Sequence, residues 1–385
     1  MKINLIKKPN YLHEAISLII QVMQLQDADD IEKIHISDNP ERYPVPMEDM
    51  DTRYADLITY RKNMLKKAYP IMKDNIPLKI STSYVDESAS NMTYINTLFY
   101  MLEVSDAKDI SEEELLIAHL NSLLTYYYNK AGTANICDEN YFQSFNNSNW
   151  KTGDVNINTD DMLQLISELN FPESLKWFAL EQITNEDCRV SFIATLITAQ
   201  EIVEKHFYLV EERYSKAVKY LENPAIQMET LEKTLGMFIE NIKEIVPLLS
   251  LEISVLSYNA AGLKTYKYQH LKDTVFLGII IEELMDLTGH YDISDERIVD
   301  MCKALGDTLR YEIINLLTQR PYFAKELAEL LGVAPSTLSH HLSILVNNGF
   351  LHMDLSDRKV YYKTNKEALT KLANYFQTKA NSVKE

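Results

Sequence analysis

The stretch that most constrains this chain is KELAELLGVAPSTLSHHLSILVNNGFL, residues 325–351. Apolar residues recur at helical spacing on both sides of Gly332, which predicts two helices joined by a tight turn. Gly332 stands where the first helix must stop, because glycine adopts the left-handed conformation at little cost. Pro335 suits the first position of the next helix, where its missing N–H is tolerated. The stretch therefore predicts a helix-turn-helix.

The second predicted helix has one apolar face and one polar face. Its core-facing residues, at 100° per residue, are Leu338, His341, Leu342 and Leu345. The outward side carries small polar groups and no charge: Ser336, Thr337, Ser339, His340, Ser343 and Asn347. Such groups suit a helix in the major groove, where base edges and phosphates lie within hydrogen-bonding reach. A helix that is merely polar on its solvent side is the alternative that these residues alone leave open.

Two flanking blocks extend this pattern to a winged helix. KALGDTLRYEIINLL precedes it at residues 303–317, and FLHMDLSDRKVYYKT follows at residues 350–364. The second block predicts a β-hairpin with its tip at 356–358. Together, in this order and at these separations, the three blocks resemble the ArsR-type winged-helix regulators of bacteria and archaea. The resemblance covers roughly residues 293–378.

The resemblance implies a bacterial transcription regulator that binds double-stranded DNA as a homodimer. The recognition helix 335–347 and the wing 351–364 would read an operator. Contacts are expected from Ser336, Thr337, Ser339, His340 and Ser343 on the helix and from Arg358 and Lys359 in the wing. In the family the first and last helices of the module form the dimer, here about 295–305 and 366–379. Two recognition helices would then enter successive major grooves roughly 34–36 Å apart.

Departures from the family pattern bear on capping and on metal sensing. Thr308 stands where the family usually has proline, and Ala334 where it often has a serine cap. Metal-sensing members carry paired cysteines before the turn, whereas RPYFAKEL at 320–327 contains none. The last helix, within 365–380, lacks the histidine of the family's second metal site. The resemblance therefore implies that neither a metal nor another cofactor is bound.

Charge separates the module from the rest of the chain. The net charge is −18, yet residues 295–385 contain 12 basic and 11 acidic residues of the total 38 and 56. The acidic remainder repels DNA, so we expect it to stand away from the duplex. Scattered cysteines at 137, 188 and 302 indicate a reducing cytoplasm, and no apolar run is long enough for a membrane span.

Residues 1–290 are predicted to form a large, mostly helical acidic domain with a few strands, so that the whole chain is mainly α, with the winged helix at 293–385. Residues 1–6 predict a short edge strand, and Leu78–Val85 a strand or an extended connection. Residues 186–221 predict one long helix, either a core helix or a dimer seam. Segments 251–257 and 274–281 predict strands or buried helices. The sequence excludes none of these alternatives.

The N-terminal domain contains no catalytic motif, so no enzyme activity and no catalytic residue are predicted. Its six glycines are scattered, which excludes a phosphate-binding loop or a dinucleotide fingerprint. Two roles stay open for it: binding a small-molecule effector, or dimerising and docking a partner. The alternative for the whole chain is a winged-helix adapter that binds proteins and has no specific affinity for DNA.

Overall fold

Two separate clusters of buried apolar side chains organise the computed structural model, one within residues 12–284 and the other within residues 298–372. The chain is mainly helical with a few strands and ends in a winged helix, which confirms the predicted fold class. The described residues are 2–36, 47–83, 93–102, 104–130, 159–169, 171–235, 239–240, 248–264, 273–284, 295–356 and 359–382. The sequence predicts loops at 38–46 and 131–160 and a short link at about 289–295. The first loop, residues 131–158 of the second, residues 289–294 of the link, Cys137 and Arg358 lie outside the described residues, whereas 159–160 and Asp295 are helical.

A four-stranded sheet with the order β1-β3-β5-β4 lies in the first cluster. Strands β1 (Lys2–Leu5), β3 (Leu248–Ser254) and β5 (Asp273–Gly278) are parallel, and β4 (Ala261–Lys264) is antiparallel to β5. Of the segments left open between strand and buried helix, 251–257 is a strand as far as Ser254 and 274–281 as far as Gly278. Strand β1 lies at the edge of the sheet, as predicted. Near-continuous apolar runs are typical of central parallel strands, which are covered on both faces.

Eleven helices of the N-terminal domain have both ends within the described residues. They are α1 (Tyr11–Gln24), α2 (Met47–Arg53), α3 (Ala55–Met72), α4 (Ile76–Ser81), α5 (Tyr94–Tyr100), α6 (Glu112–Lys130), α7 (Thr159–Glu168), α8 (Glu173–Thr184), α9 (Glu186–His206), α10 (Glu211–Leu221) and α11 (Pro224–Leu235). The expectation of extended structure from Leu78 is wrong, because Leu78 to Ser81 belong to α4. Asn75 caps this helix by accepting a hydrogen bond from the Leu78 N–H at 3.0 Å.

The prediction of one helix over residues 186–221 is also wrong, since α9 and α10 are separate. Residues 207–209 form a 3₁₀ turn, and the Val210 N–H bonds to the Phe207 carbonyl at 3.0 Å. Such a tight turn interrupts the helix while keeping apolar side chains near their helical spacing. Phe192, Leu196 and Val203 are buried in the domain's own core, which favours the core interpretation over a dimer seam.

The second cluster is the core of the winged helix. Its elements are α12 (Asp295–Leu305), α13 (Thr308–Leu317), β6 (Tyr322–Phe323), α14 (Ala324–Leu331), α15 (Pro335–Asn347), β7 (Leu351–Ser356), β8 (Lys359–Thr364) and α16 (Lys366–Asn381). Strands β7 and β8 form the predicted hairpin, with Leu351 opposite Thr364 and Ser356 opposite Lys359. Strand β6 adds to it by pairing with β8.

Within the described residues, β2 (Ile239–Glu240) and α6 of the larger domain contact the module. The two-residue strand β2 pairs in parallel with β7, opposite Met353 and Asp354, so the second sheet has the order β2-β7-β8-β6. Helix α6 approaches α15 to within 8 Å between Cα atoms. The module is therefore attached to the larger domain by more than the covalent link before residue 295.

Candidate DNA-binding surface

The turn between α14 and α15 has the geometry that its sequence predicts. Gly332 ends α14 at φ 64°, in the left-handed region, and its N–H bonds to the Ala328 carbonyl. Pro335 occupies the first turn of α15. Ala334 provides no side-chain cap, as expected from its methyl group. The orientation of α15 therefore depends on the turn and on packing rather than on an N-cap hydrogen bond.

The inner face of α15 is anchored in the module core. Leu338, Leu342 and Leu345 are buried, as predicted. His341 lies on the same side, and its Nδ1 is 3.4 Å from the Asp307 carboxylate. Burial lowers the pKa of His341, with smaller contributions from Arg310 and His340, while Asp307 acts in the opposite direction. His341 is thus a neutral packing residue at pH 7 rather than a DNA contact.

Asp307 and Arg310 hold the start of α13, a function that the sequence analysis did not assign. The Asp307 carboxylate accepts a hydrogen bond from the Arg310 N–H at 3.0 Å and caps the helix. This bond, more than any other cause, holds the pKa of Asp307 below its usual range. The Arg310 guanidinium donates to the carbonyls of Ala304 and Lys303, which closes the end of α12. An Asp directly before the first residues of a helical pattern was the available signal for the cap.

The outward face of α15 presents the predicted hydroxyls to different extents. Thr337 and Ser339 are exposed, whereas His340 and Ser343 are half-buried. The rings of His340 and His341 lie 5.5 Å apart with an interplanar angle of 67°. For Ser336 the structure describes only the backbone, which lies in the first turn of α15. The amino-terminal half of the helix is therefore the better exposed part of the predicted surface.

Of the two predicted wing contacts, the structure describes only the backbone of Lys359. Lys359 begins β8 opposite Ser356. Arg358, at the predicted tip, is outside the described residues. Tyr362 and Tyr322 pair across β8 and β6, and burial raises the pKa of Tyr362 to about 12. Both rings pack in the module core, and they anchor the base of the hairpin to it.

The segment that forms these helices and begins the hairpin matches the model of a known family. Residues 307–352 match the family model described as Bacterial regulatory protein, arsR family. The match begins at Asp307, the cap of α13, and ends at His352 in β7, so it includes the complete helix-turn-helix. This ArsR-type domain confirms the resemblance seen in the sequence. No curated protein and no solved structure matches the chain.

The described residues also bear on membrane spans and metal sites. No helix there is long and apolar enough to cross a membrane. Over the same part of the chain, no group of three or more His, Cys, Asp or Glu residues is arranged to hold a metal ion.

Proposed function

We propose that this protein is a transcription regulator that reads an operator with α15 and contacts the DNA backbone with its wing. The observation that carries the proposal is the exposed, uncharged face of α15 at Thr337 and Ser339, in the recognition position of an ArsR-type domain. Hydroxyl groups at this position can donate hydrogen bonds to base edges and accept hydrogen bonds from them, and they carry no charge that would repel phosphates. Ser336, His340 and Ser343 extend the same face, and Arg358 and Lys359 belong to the wing.

The proposed active form is a homodimer, assembled through α12 and α16. Val299 on α12 is 49% exposed and Phe376 on α16 is 50% exposed, although both side chains are large and apolar. Leu372, on the same helix as Phe376, is buried in the module core. Covering Val299 and Phe376 with a second copy would remove apolar surface from water. A dimer would also double the number of phosphate contacts made by a module with little net charge.

Selection of bound fragments from genomic DNA by the purified full-length protein tests the proposal and gives the half-site spacing. Changing Thr337 and His340 together to alanine should weaken binding to the recovered site by roughly 1–3 kcal/mol per lost base contact and relax the sequence preference. Thr318→Ala is the matched control, since Thr318 is exposed in the same module and its hydroxyl bonds locally to the Asn315 carbonyl. Unchanged affinity and sequence preference of the double variant would contradict the proposal.

A protein-binding adapter is the second candidate, and the attachment of the module to its own chain through β2 favours it. A strand already paired with β7 shows that this sheet edge accepts a protein backbone. The two candidates differ in their response to salt. DNA binding should weaken linearly on a logarithmic scale as salt rises, because counterions are released from phosphates. An adapter would show no affinity for the selected fragments at low salt.

For the N-terminal domain we propose the role of a cytoplasmic sensor that controls the operator affinity of the module. Its contacts with the wing through β2 and with α15 through α6 are the supporting observations. A ligand that binds one arrangement of the two domains more tightly than another would shift the population of DNA-competent molecules. A domain that only dimerises or docks a partner would leave operator affinity independent of any small molecule.

A further inference from the structure

A cavity of about 590 Å³ opens at the carboxyl end of the parallel sheet, between α10 and α11. Cavities of roughly 300–1,000 Å³ are typical of small-molecule sites, and the carboxyl edge of parallel strands is where such sites commonly lie. Its floor is apolar and comes from Ile253, Leu277 and Ile279, with Leu209 and Leu221 on the helical side. The cavity thus has the size and the position of a ligand pocket.

Gly278 at the end of β5 makes this arrangement possible. A Cβ atom at position 278 would meet the Tyr258 carbonyl group at 2.3 Å, which is far too close. The Gly278 N–H bonds to the Ala260 carbonyl at 2.7 Å, and the Ile280 N–H bonds to that of Tyr258 at 3.1 Å. The chain then forms a helical turn at 281–284, which brings Glu282 and Glu283 to the cavity. The two carboxylates are therefore placed by backbone packing.

The cationic side chains of the cavity already have carboxylate partners. Arg213 forms a bidentate pair with Asp56, with N–O distances of 2.6 and 2.8 Å. Lys216 pairs with Glu212 at 2.6 Å on the exposed rim. A guanidinium that already forms a bidentate ion pair with one carboxylate is poorly able to bind a ligand anion as well. The cavity does not have the charge arrangement of a site for a carboxylate or a phosphate.

Glu282 differs, because it receives hydrogen bonds only from hydroxyl groups. Thr230 donates to it at 2.7 Å and Tyr220 at 3.4 Å, and within the described residues no cation lies at ion-pair distance. Glu283 is compensated, since Arg53 lies 3.4 Å away and Tyr54 donates to it at 2.9 Å. A half-buried carboxylate without a cation is stabilised when a ligand provides one. The Tyr220 ring at the rim adds an aromatic surface of the kind that attracts organic cations.

We infer that this cavity binds a small organic cation, with its ammonium group at Glu282 and its apolar body against Ile253, Leu277 and Ile279. This cation would be the ligand of the proposed sensor domain. Only the effect of the cation on operator affinity rests on that proposed function. Thr230, which donates to Glu282, lies on α11, and β2 follows the end of α11 at residues 239–240. Ligand binding would act on the helix that leads to the wing.

Isothermal titration of the full-length chain without DNA tests the site directly. Benzylammonium and hexylammonium are the probes, with benzyl alcohol and benzoate as neutral and anionic counterparts. We expect one-to-one binding of the cations, roughly ten- to hundredfold tighter than that of the counterparts, because an ion-paired hydrogen bond is made only with the cation. Glu282→Gln should reduce cation binding to the level of the alcohol. Glu229→Gln, the same change at an exposed residue of α11 outside the cavity, should leave it unchanged.

Equal binding of the alcohol, unchanged binding by Glu282→Gln, or no binding of either cation at millimolar concentration would overturn the inference. A parallel measurement of operator affinity with and without the cation separates this result from the proposed function. Cation binding without any DNA binding would support the ligand site and contradict the proposed role as a transcription regulator. DNA binding without cation binding would support the regulator and contradict the ligand site. When both occur, ligand and operator must change each other's affinity by the same factor if they are coupled.

Discussion

The Nδ1 atom of His341 lies 3.4 Å from the carboxylate of Asp307, and this contact joins the recognition helix to the cap of α13. The two residues are far apart in the sequence and come from different blocks of the module. Asp307 stabilises the helix start through a backbone hydrogen bond, and His341 packs behind the surface proposed to face DNA. A change in the protonation of His341 would therefore alter one of the contacts between α15 and the start of α13.

Acid should destabilise the module through His341. Its pKa is lowered from 6.5 by burial, so the folded state binds the proton less well than the unfolded state. The stability contributed by neutral His341 is then present above about pH 6.5 and is lost as pH falls through the lower folded pKa. We expect amide exchange within 335–347 to become faster on acidification, and His341→Gln to reduce that pH dependence. If amide exchange in His341→Gln depends on pH as it does in the wild type, His341 is not the group that titrates.

Asp307 should contribute its cap independently of its charge. Asp307→Ala removes the acceptor for the Arg310 N–H and should lower the free energy of unfolding by about 1 kcal/mol. Asp307→Ser keeps an acceptor at the cap and should recover most of that loss. Both variants remove the negative charge that raises the pKa of His341, so an NMR titration should show that pKa falling in each. Urea unfolding curves of the two variants that coincide would contradict the capping role.

Glu14 should make the N-terminal domain less stable as pH rises. Burial raises its pKa to about 7 from an ordinary value of 4.5, although the Val255 and Leu256 N–H groups each donate to it at 2.7 Å. The stability that this group contributes is complete below pH 4.5 and is lost as pH rises through about 7, by at most about 3 kcal/mol. The free energy of unfolding of Glu14→Gln minus that of the wild type should therefore increase between these pH values. Burial lowers the pKa of His119 to about 3, and its opposite effect on stability is the same in both proteins and cancels in this difference. The exposed variant Glu229→Gln should keep the wild-type slope.

The wing should contribute affinity more than sequence preference. Arg358→Ala and Lys359→Ala should each weaken binding similarly on all DNA sequences and lower the slope of affinity against salt by about one unit. Lys66→Ala removes the same charge from the N-terminal domain, where Lys66 pairs with Glu32, and should leave the slope unchanged. A change in the preferred base with the slope intact would instead mean that the wing reads bases.

The pairing of β2 with β7 should protect the wing. Prolines at 239 and 240 remove both N–H groups of β2 and with them any hydrogen bond they donate to β7. We expect faster amide exchange at Met353 and Asp354, and an operator affinity that differs from that of the wild type. Glu240→Gln keeps the backbone of β2 and serves as the control. Unchanged exchange at both positions would show that β2 does not hold the wing in solution.

Local patterns in the sequence determined the architecture of the module. Gly332, Pro335 and the apolar spacing around Leu338 act over a few residues, because helix ends and amphipathic faces depend on local backbone conformation and side-chain direction. The same spacing indicated that residues 1–290 are mostly helical, as their described part is. It failed at Leu78, where the Asn75 cap outweighed the β-forming pattern, and at Phe207, where a 3₁₀ turn preserved the spacing through a break.

Tertiary structure alone decided the relationships between distant residues. The partner of Glu282, the cavity above β5 and the pairing of β2 with β7 join segments separated by tens to more than a hundred residues. No periodicity in one segment reports which segment will pack against it, because many partners satisfy the same apolar face or strand edge equally well. The sequence therefore determined which surface resembles a DNA-binding surface. Only the packed chain placed a ligand-sized cavity beside α11, the helix that precedes β2 and its pairing with the wing strand β7.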